Sequence, residues 1–149
     1  MQIWRLVAHH EDPKMAIAWF NKTGRIAVGW GRAGDLRHYR SVSIETLREG
    51  LKQVYAGEYN RRQGAKSLLN FWNMEVGDLV IITRGSGRRS HVVKVVGDYV
   101  WTSRVNPLGD YLHQRAAVTT DDDPDELWSR IGSAILRGQN PHLAVARCK

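Results

Sequence analysis

From Gly77 to Thr119 the sequence breaks into short apolar runs separated by turn signals, and this pattern constrains the fold more than any other feature of the chain. Leu79 to Thr83 is one such run, Arg84-Gly85-Ser86-Gly87-Arg88 reads as a hairpin loop, and Ser90 to Val96 reads as the return strand. Val92, Val93, Val95 and Val96 interrupt the apolar/polar alternation, which predicts a strand buried on both faces. Gly97-Asp98 marks the next turn, Tyr99 to Arg104 the next strand, Asn106 to Asp110 a loop, and Tyr111 to Thr119 a final strand.

Helical signals surround this β-rich stretch. Gln2 to Ala8 alternates as a strand with Trp4, Leu6 and Ala8 on one face, and Asp12-Pro13 supplies an N-cap and an N1 proline for a helix that closes near Gly24. Arg25 to Gly29 is a second strand. Ser43 caps a helix whose Ile44, Leu47, Leu51, Val54 and Tyr55 share a face, with Gly57 as its stop. Ala65, Leu68, Leu69 and Trp72 place another helix over about 63–73, and Asp123-Pro124-Asp125-Glu126 opens one over about 124–137. The expected fold class is α+β: one domain over residues 1–138, a partly closed mixed β-barrel of five to six strands in residues 2–119 with three to four packed helices, then a loosely ordered tail over 139–149.

The chain carries a net charge of +7. Asp121 to Glu126 holds five of the 15 acids and no base, so the remainder has an excess of +12. An excess of this size suits a polyanion partner. Six tryptophans in 149 residues sharpen that reading, because indole is the best side chain for stacking on a base and is expensive to bury without a partner for its N–H. Trp19, Trp72 and Trp128 fall on apolar helix faces and belong with the core, whereas Trp4 fits either core or pocket. The single Cys148 suits a reducing, cytoplasmic setting. No apolar run approaches the roughly 20 residues of a membrane span, and no secretory leader is expected.

No catalytic set stands out, and the chain is expected to bind rather than catalyse, without metal or cofactor. His9-His10-Glu11-Asp12 reads as a solvated loop, since neighbours on an extended chain point opposite ways. Ser90 and His91 are expected to diverge for the same reason. Binding features are stronger. Arg84, Ser86, Arg88, Arg89 and Lys94 cluster in and beside one hairpin, Arg61, Arg62 and Lys66 open a helix, and Arg32 follows Trp30. These are the candidates for phosphate contacts. In Gly29-Trp30-Gly31 the glycines leave room for a ligand at a strand end, which makes Trp30 a pocket wall.

Ile3-Trp4-Arg5-Leu6-Val7, Ile26 to Gly31, Gly34-Asp35-Leu36 and the run Asn70 to Val80 resemble the EVE and YTH branch of the PUA-like superfamily, and most closely the EVE-like N-terminal domains of modification-dependent, McrBC-type restriction systems. The resemblance covers about residues 2–119. It implies a reader that flips a methylated or hydroxymethylated base of DNA into an aromatic cage, in a prokaryotic defence context and with a nuclease subunit or domain as partner. An RNA- or tRNA-binding PUA-like protein is the alternative, and a nucleic-acid-processing enzyme or nucleoside sensor a weaker one. By position the resemblance assigns the cage to Trp30 and Trp101 and a base-edge contact to the end of the first strand, at His9 and His10. Trp4, Gly29 and Gly31 complete the candidate pocket.

Overall fold

The computed structural model describes residues 1–85, 88–131 and 143–148, with the backbone alone for 58–62. In chain order the elements are β1 (Ile3–Val7), α1 (Pro13–Thr23), β2 (Arg25–Val28), two 3-10 turns (Gly31–Ala33 and Leu36–His38), α2 (Ile44–Val54), α3 (Glu58–Asn73), β3 (Leu79–Thr83), β4 (Arg89–Val95), β5 (Val100–Trp101), β6 (His113–Thr119), α4 (Pro124–Arg130) and β7 (Val145–Arg147). Local chemistry sets the boundaries. Asp12 accepts a hydrogen bond from the Met15 amide, and Gly24 ends α1 in the left-handed region at φ 67°. Ser43 and Thr46 close a capping box on α2.

The fold is α+β, with a curled mixed sheet forming a half-barrel in the order β2-β6-β4-β3-β1-β7, while β5 pairs with β6. β1 runs parallel to β3, placing Trp4 opposite Val80 and Val7 opposite Thr83. The other pairings are antiparallel, among them Val28 opposite His113. Leu6, Val80, Ile82, Val93 and Val95 meet Ala16 and Phe20 of α1, Leu47 and Leu51 of α2, and Leu68 and Phe71 of α3 in the main core. On the other face of the sheet Ile3, Ile81 and Val92 pack against Leu127 of α4 and Cys148. Covered faces explain why Val92 and Val93 are both buried.

Three expectations change. Residues 143–148 are ordered: β7 pairs with the outer edge of β1, and Leu143, Val145, Ala146 and Cys148 are buried. An open strand edge leaves backbone N–H and C=O groups unpaired, and the pairing with β7 covers that of β1. From α3, Asn70 Nδ2 donates to the Val145 carbonyl at 2.8 Å and Ser67 Oγ accepts from the Ala144 amide at 3.1 Å, so polar helix side chains hold β7 in place. Next, α3 starts at Glu58 rather than near Gln63, with Gly57 at φ 91° as its N-cap instead of the stop of α2. Finally, β5 shrinks to two residues, since Asn106 folds its loop inward by donating to the Tyr111 carbonyl. The expected helix beyond Ile131 and the tail over 139–142 lie outside the described residues.

Candidate functional site

Trp30 follows β2 with φ 61° and ψ 35°, the one non-glycine residue with positive φ among the described residues. Such a conformation costs about 1–3 kcal/mol and persists when its surroundings over-determine it. The Trp30 carbonyl accepts from His113 Nε2 at 2.9 Å and from the Ala33 amide at 3.0 Å. The Gly31 amide donates to the Asp110 carbonyl at 3.0 Å, and the Trp101 indole N–H donates to the Gly31 carbonyl at 2.9 Å. Glycine is required at position 31, where a Cβ would lie 2.6 Å from Leu112 Cγ and 2.8 Å from the Asp110 carbonyl oxygen. The indole itself rests on α3: a Cβ at Gly64 would sit 2.7 Å from Trp30 Nε1.

Behind this turn runs a hydrogen-bond chain with a determined polarity. A carbonyl can only accept, so His113 Nε2 carries the proton donated to Trp30 and Nδ1 accepts from the Tyr99 hydroxyl at 2.6 Å. Tyr99 in turn accepts from the Leu36 amide at 3.1 Å. His113 is fully buried, and burial pushes its pKa down to about 4, only partly offset by the Trp30 carbonyl. The imidazole is therefore neutral at pH 7, as this chain of bonds requires.

The Trp30 turn walls a pocket of about 410 Å³, within the roughly 300–1,000 Å³ usual for small-ligand sites. Val7, Gly29 and Ala144 supply apolar surface, and Tyr55 and Tyr111 add two further aromatic rings. Gly29 permits the close approach of Tyr111, whose ring would lie 3.4 Å from a Cβ there. Burial raises the Tyr111 hydroxyl to about 12. His10, Gln63 and Asp110 are the polar lining residues. Tyr55 donates its hydroxyl proton to Asp110 Oδ2 and accepts from the Arg32 amide at 3.1 Å, while the Arg32 guanidinium lies 5.0 Å from the Tyr55 ring centre.

Of the residues expected in the pocket, Trp30, Gly29 and His10 line it, and Gly31 shapes it from behind. Trp4 does not. It is 3 % exposed in the core, and its indole N–H donates to Asp78 Oδ2 at 2.9 Å, so its polar edge is satisfied internally. His9 is also structural: Nδ1 accepts from the Glu11 and Asp12 amides, Nε2 donates to the Leu108 carbonyl, and the ring stacks under Tyr111 at 4.6 Å. Trp101 is not a second wall of the Trp30 pocket. It braces Gly31 from outside and faces a separate hollow of about 590 Å³ with Trp19, Arg25, Arg37 and Arg104.

The basic hairpin starts at the end of β3, beside the pocket-lining Val7 that pairs with Thr83. Arg84, Arg88, Arg89 and Ser90 share a cleft of about 430 Å³ with Asp125. Arg84 and Arg88 are exposed, but Arg89 is engaged: its Nε donates to Asp125 Oδ1 at 2.6 Å and its guanidinium lies 5.2 Å from the Trp128 ring centre. Arg32 is exposed at the pocket rim. Lys66 is half-buried on α3, one turn beyond Gln63 and so on the same side. Lys94 is exposed on the α4 side of the sheet, two residues along β4 from Val92. Ser86 and the side chains of Arg61 and Arg62 lie outside the described residues.

Ser90 and His91 do not diverge. The register slips where Ile82 faces His91 and Thr83 faces Arg89, so Ser90 is the extra residue of a β-bulge. The bulge turns both side chains the same way, and Ser90 Oγ lies 2.9 Å from His91 Nδ1. His91 Nε2 is buried with no hydrogen-bond partner among the described residues, so none of their carboxylates orients this imidazole.

Tyr55, Gly64, Tyr99, Asp110, Tyr111 and His113 belong to the site but carry no motif. Gly64 alone gave a signal, since glycine inside a helix costs about 1 kcal/mol against alanine and marks a close approach. Among the described residues no group of three His, Cys, Asp or Glu side chains is placed to hold a metal ion, and no helix is long and apolar enough to cross a membrane. Nothing among curated proteins or solved structures matches the chain. Residues 4–121, which run from β1 through β6 and include every pocket-lining residue except Ala144, match one family model, and the chain belongs to that family, a domain of unknown function (DUF8426).

Proposed function

We propose that this chain is a nucleic-acid reader that takes a flipped, modified base into the Trp30 pocket, with a PUA-like, EVE/YTH-type architecture and a binding rather than a catalytic role. The observation that carries the reading is the left-handed Trp30, a strained aromatic residue fixed at the mouth of a pocket walled by two more rings. Strain held in place by several hydrogen bonds is a mark of a pre-organised site. Base–aromatic stacking contributes roughly 1–3 kcal/mol per base, and three rings can offset the few kcal/mol of unstacking. Arg32 at the rim and Arg84 and Arg88 on the hairpin beside Val7 supply positive charge for the flanking phosphates. Of the cage proposed from the sequence, Trp30 remains and Tyr55 and Tyr111 replace Trp101.

DNA in a prokaryotic, cytoplasmic defence setting, with a separate nuclease as partner, is the biological context proposed. The test is a binding screen of matched DNA and RNA oligonucleotides with plain, methylated or hydroxymethylated bases, repeated over a salt series. Tighter binding of one modified duplex is the expected result. Equal, salt-driven binding of every oligonucleotide overturns the reader role. Preference for RNA of any sequence replaces it with an RNA-binding one.

A further inference from the structure

We propose that Asp110 reads the edge of the bound base and restricts the pocket to bases that carry an amino group. This rests on the base-reading role above and specifies its ligand. Asp110 is the one carboxylate among the described lining residues. Its Oδ2 accepts the Tyr55 hydroxyl, whereas Oδ1 accepts no hydrogen bond among the described residues and lies against Gly31, where a Cβ would sit 2.7 Å from it. The group is held in register with the stacking ring, because the Asp110 carbonyl accepts from Gly31, the residue that follows Trp30.

A carboxylate offers only acceptors, so the edge it faces has to donate. Adenine, cytosine and guanine each present an exocyclic amino group there. Thymine and uracil present carbonyl oxygens on both sides of a single ring N–H, and an oxygen facing Oδ1 is repelled while its own hydration is lost. Thymine and 5-methylcytosine share the same 5-methyl group, so this edge is the feature that tells them apart. His10 cannot supply a compensating donor at the same place, since its ring nitrogens face Tyr111 and Glu11.

Fluorescence anisotropy with the intact chain tests this, using duplexes in which the central base is 5-methylcytosine, N6-methyladenine or thymine opposite an abasic site, so that no base pair has to be broken. A duplex with abasic sites on both strands is the reference. The expected result is binding of at least one amino-bearing base about tenfold tighter than thymine. In Asp110→Asn that ratio collapses. A third probe, 5-methyl-2-pyrimidinone, lacks the amino group and is expected to bind wild-type protein no better than thymine, an outcome that needs no variant to fold. Thymine bound as tightly as the amino bases, or a ratio that survives Asp110→Asn, overturns the role of Asp110 and leaves base reading standing. No base bound better than the abasic reference overturns both.

Discussion

His113 donates its Nε2 proton to the Trp30 carbonyl at 2.9 Å, from a fully buried position on β6. One neutral imidazole thus supports the strained turn at the pocket mouth, and this has a measurable effect on stability. Its folded pKa of about 4 lies below the roughly 6.5 of an unfolded histidine. The unfolded chain therefore takes up the proton first, and stability is lost as pH falls from about 6.5 to about 4, by roughly 3 kcal/mol from this group. Burial lowers His91 too, and that loss has the same sign. Chemical denaturation across pH 5.0–6.5, above most carboxylate titration, is expected to show falling stability in wild type and a flatter profile in His113→Gln.

Gly64 and Gly31 separate pocket from fold. Alanine at position 64 raises helix propensity by about 1 kcal/mol, but its Cβ would lie 2.7 Å from the Trp30 indole nitrogen. Gly64→Ala is expected to keep the melting temperature near wild type while weakening oligonucleotide binding about tenfold, the scale of one lost stack. Gly31→Ala meets the Asp110 backbone and the Leu112 side chain and is expected to lower the melting temperature as well. Melting curves and anisotropy titrations of the two variants check this contrast.

Asp78 ties the turn before β3 to the N-terminal strand, accepting from the Gln2 amide, the Glu75 amide and the Trp4 indole at 2.9 Å each. Burial raises its pKa, but these donors outweigh it and leave the carboxyl below its ordinary value. Its contribution is therefore present at neutral pH and lost as acid protonates it. Asp78→Asn turns an amide N–H toward one of these donors, and a loss of about 1–3 kcal/mol in denaturant titrations at pH 7 is expected. Base preference of the folded fraction is expected to stay unchanged.

The hairpin arginines should separate in a salt series. Arg84→Ala and Arg88→Ala each remove an exposed cation of the hairpin and are expected to lower the slope of log affinity against log salt by about 1. Arg89 already engages Asp125 and lies over Trp128, so Arg89→Ala is expected to leave that slope nearly unchanged and to loosen α4.

Most strands and helices were legible because local patterns dictated them: the valines of β4, the Asp12-Pro13 start of α1 and the Ser43 cap of α2. β7 was not legible, because Val145-Ala146-Arg147 is too short to show a period and gains its place only from the open edge of β1 and from Ser67 and Asn70. Trp30 could be singled out because flanking glycines are a local signal. Its pocket partners could not, since Tyr55, Asp110 and Tyr111 meet it only through the curl of the sheet and the packing of α2. Trp101 misled for a related reason. It does approach the Trp30 turn, but through the Gly31 carbonyl and from the opposite side. The Ser90–His91 contact escaped strand alternation because a bulge cancels that rule for one residue.

The central claim rests on the Trp30 ring, and the most direct measurement compares wild type with Trp30→Ala for binding to a plain duplex and to the modified duplex that wild type prefers. Loss of the preference is expected in Trp30→Ala, with residual, salt-sensitive affinity for both duplexes through Arg84 and Arg88. A Trp30→Ala protein that melts like wild type and still prefers the modified duplex would contradict the account.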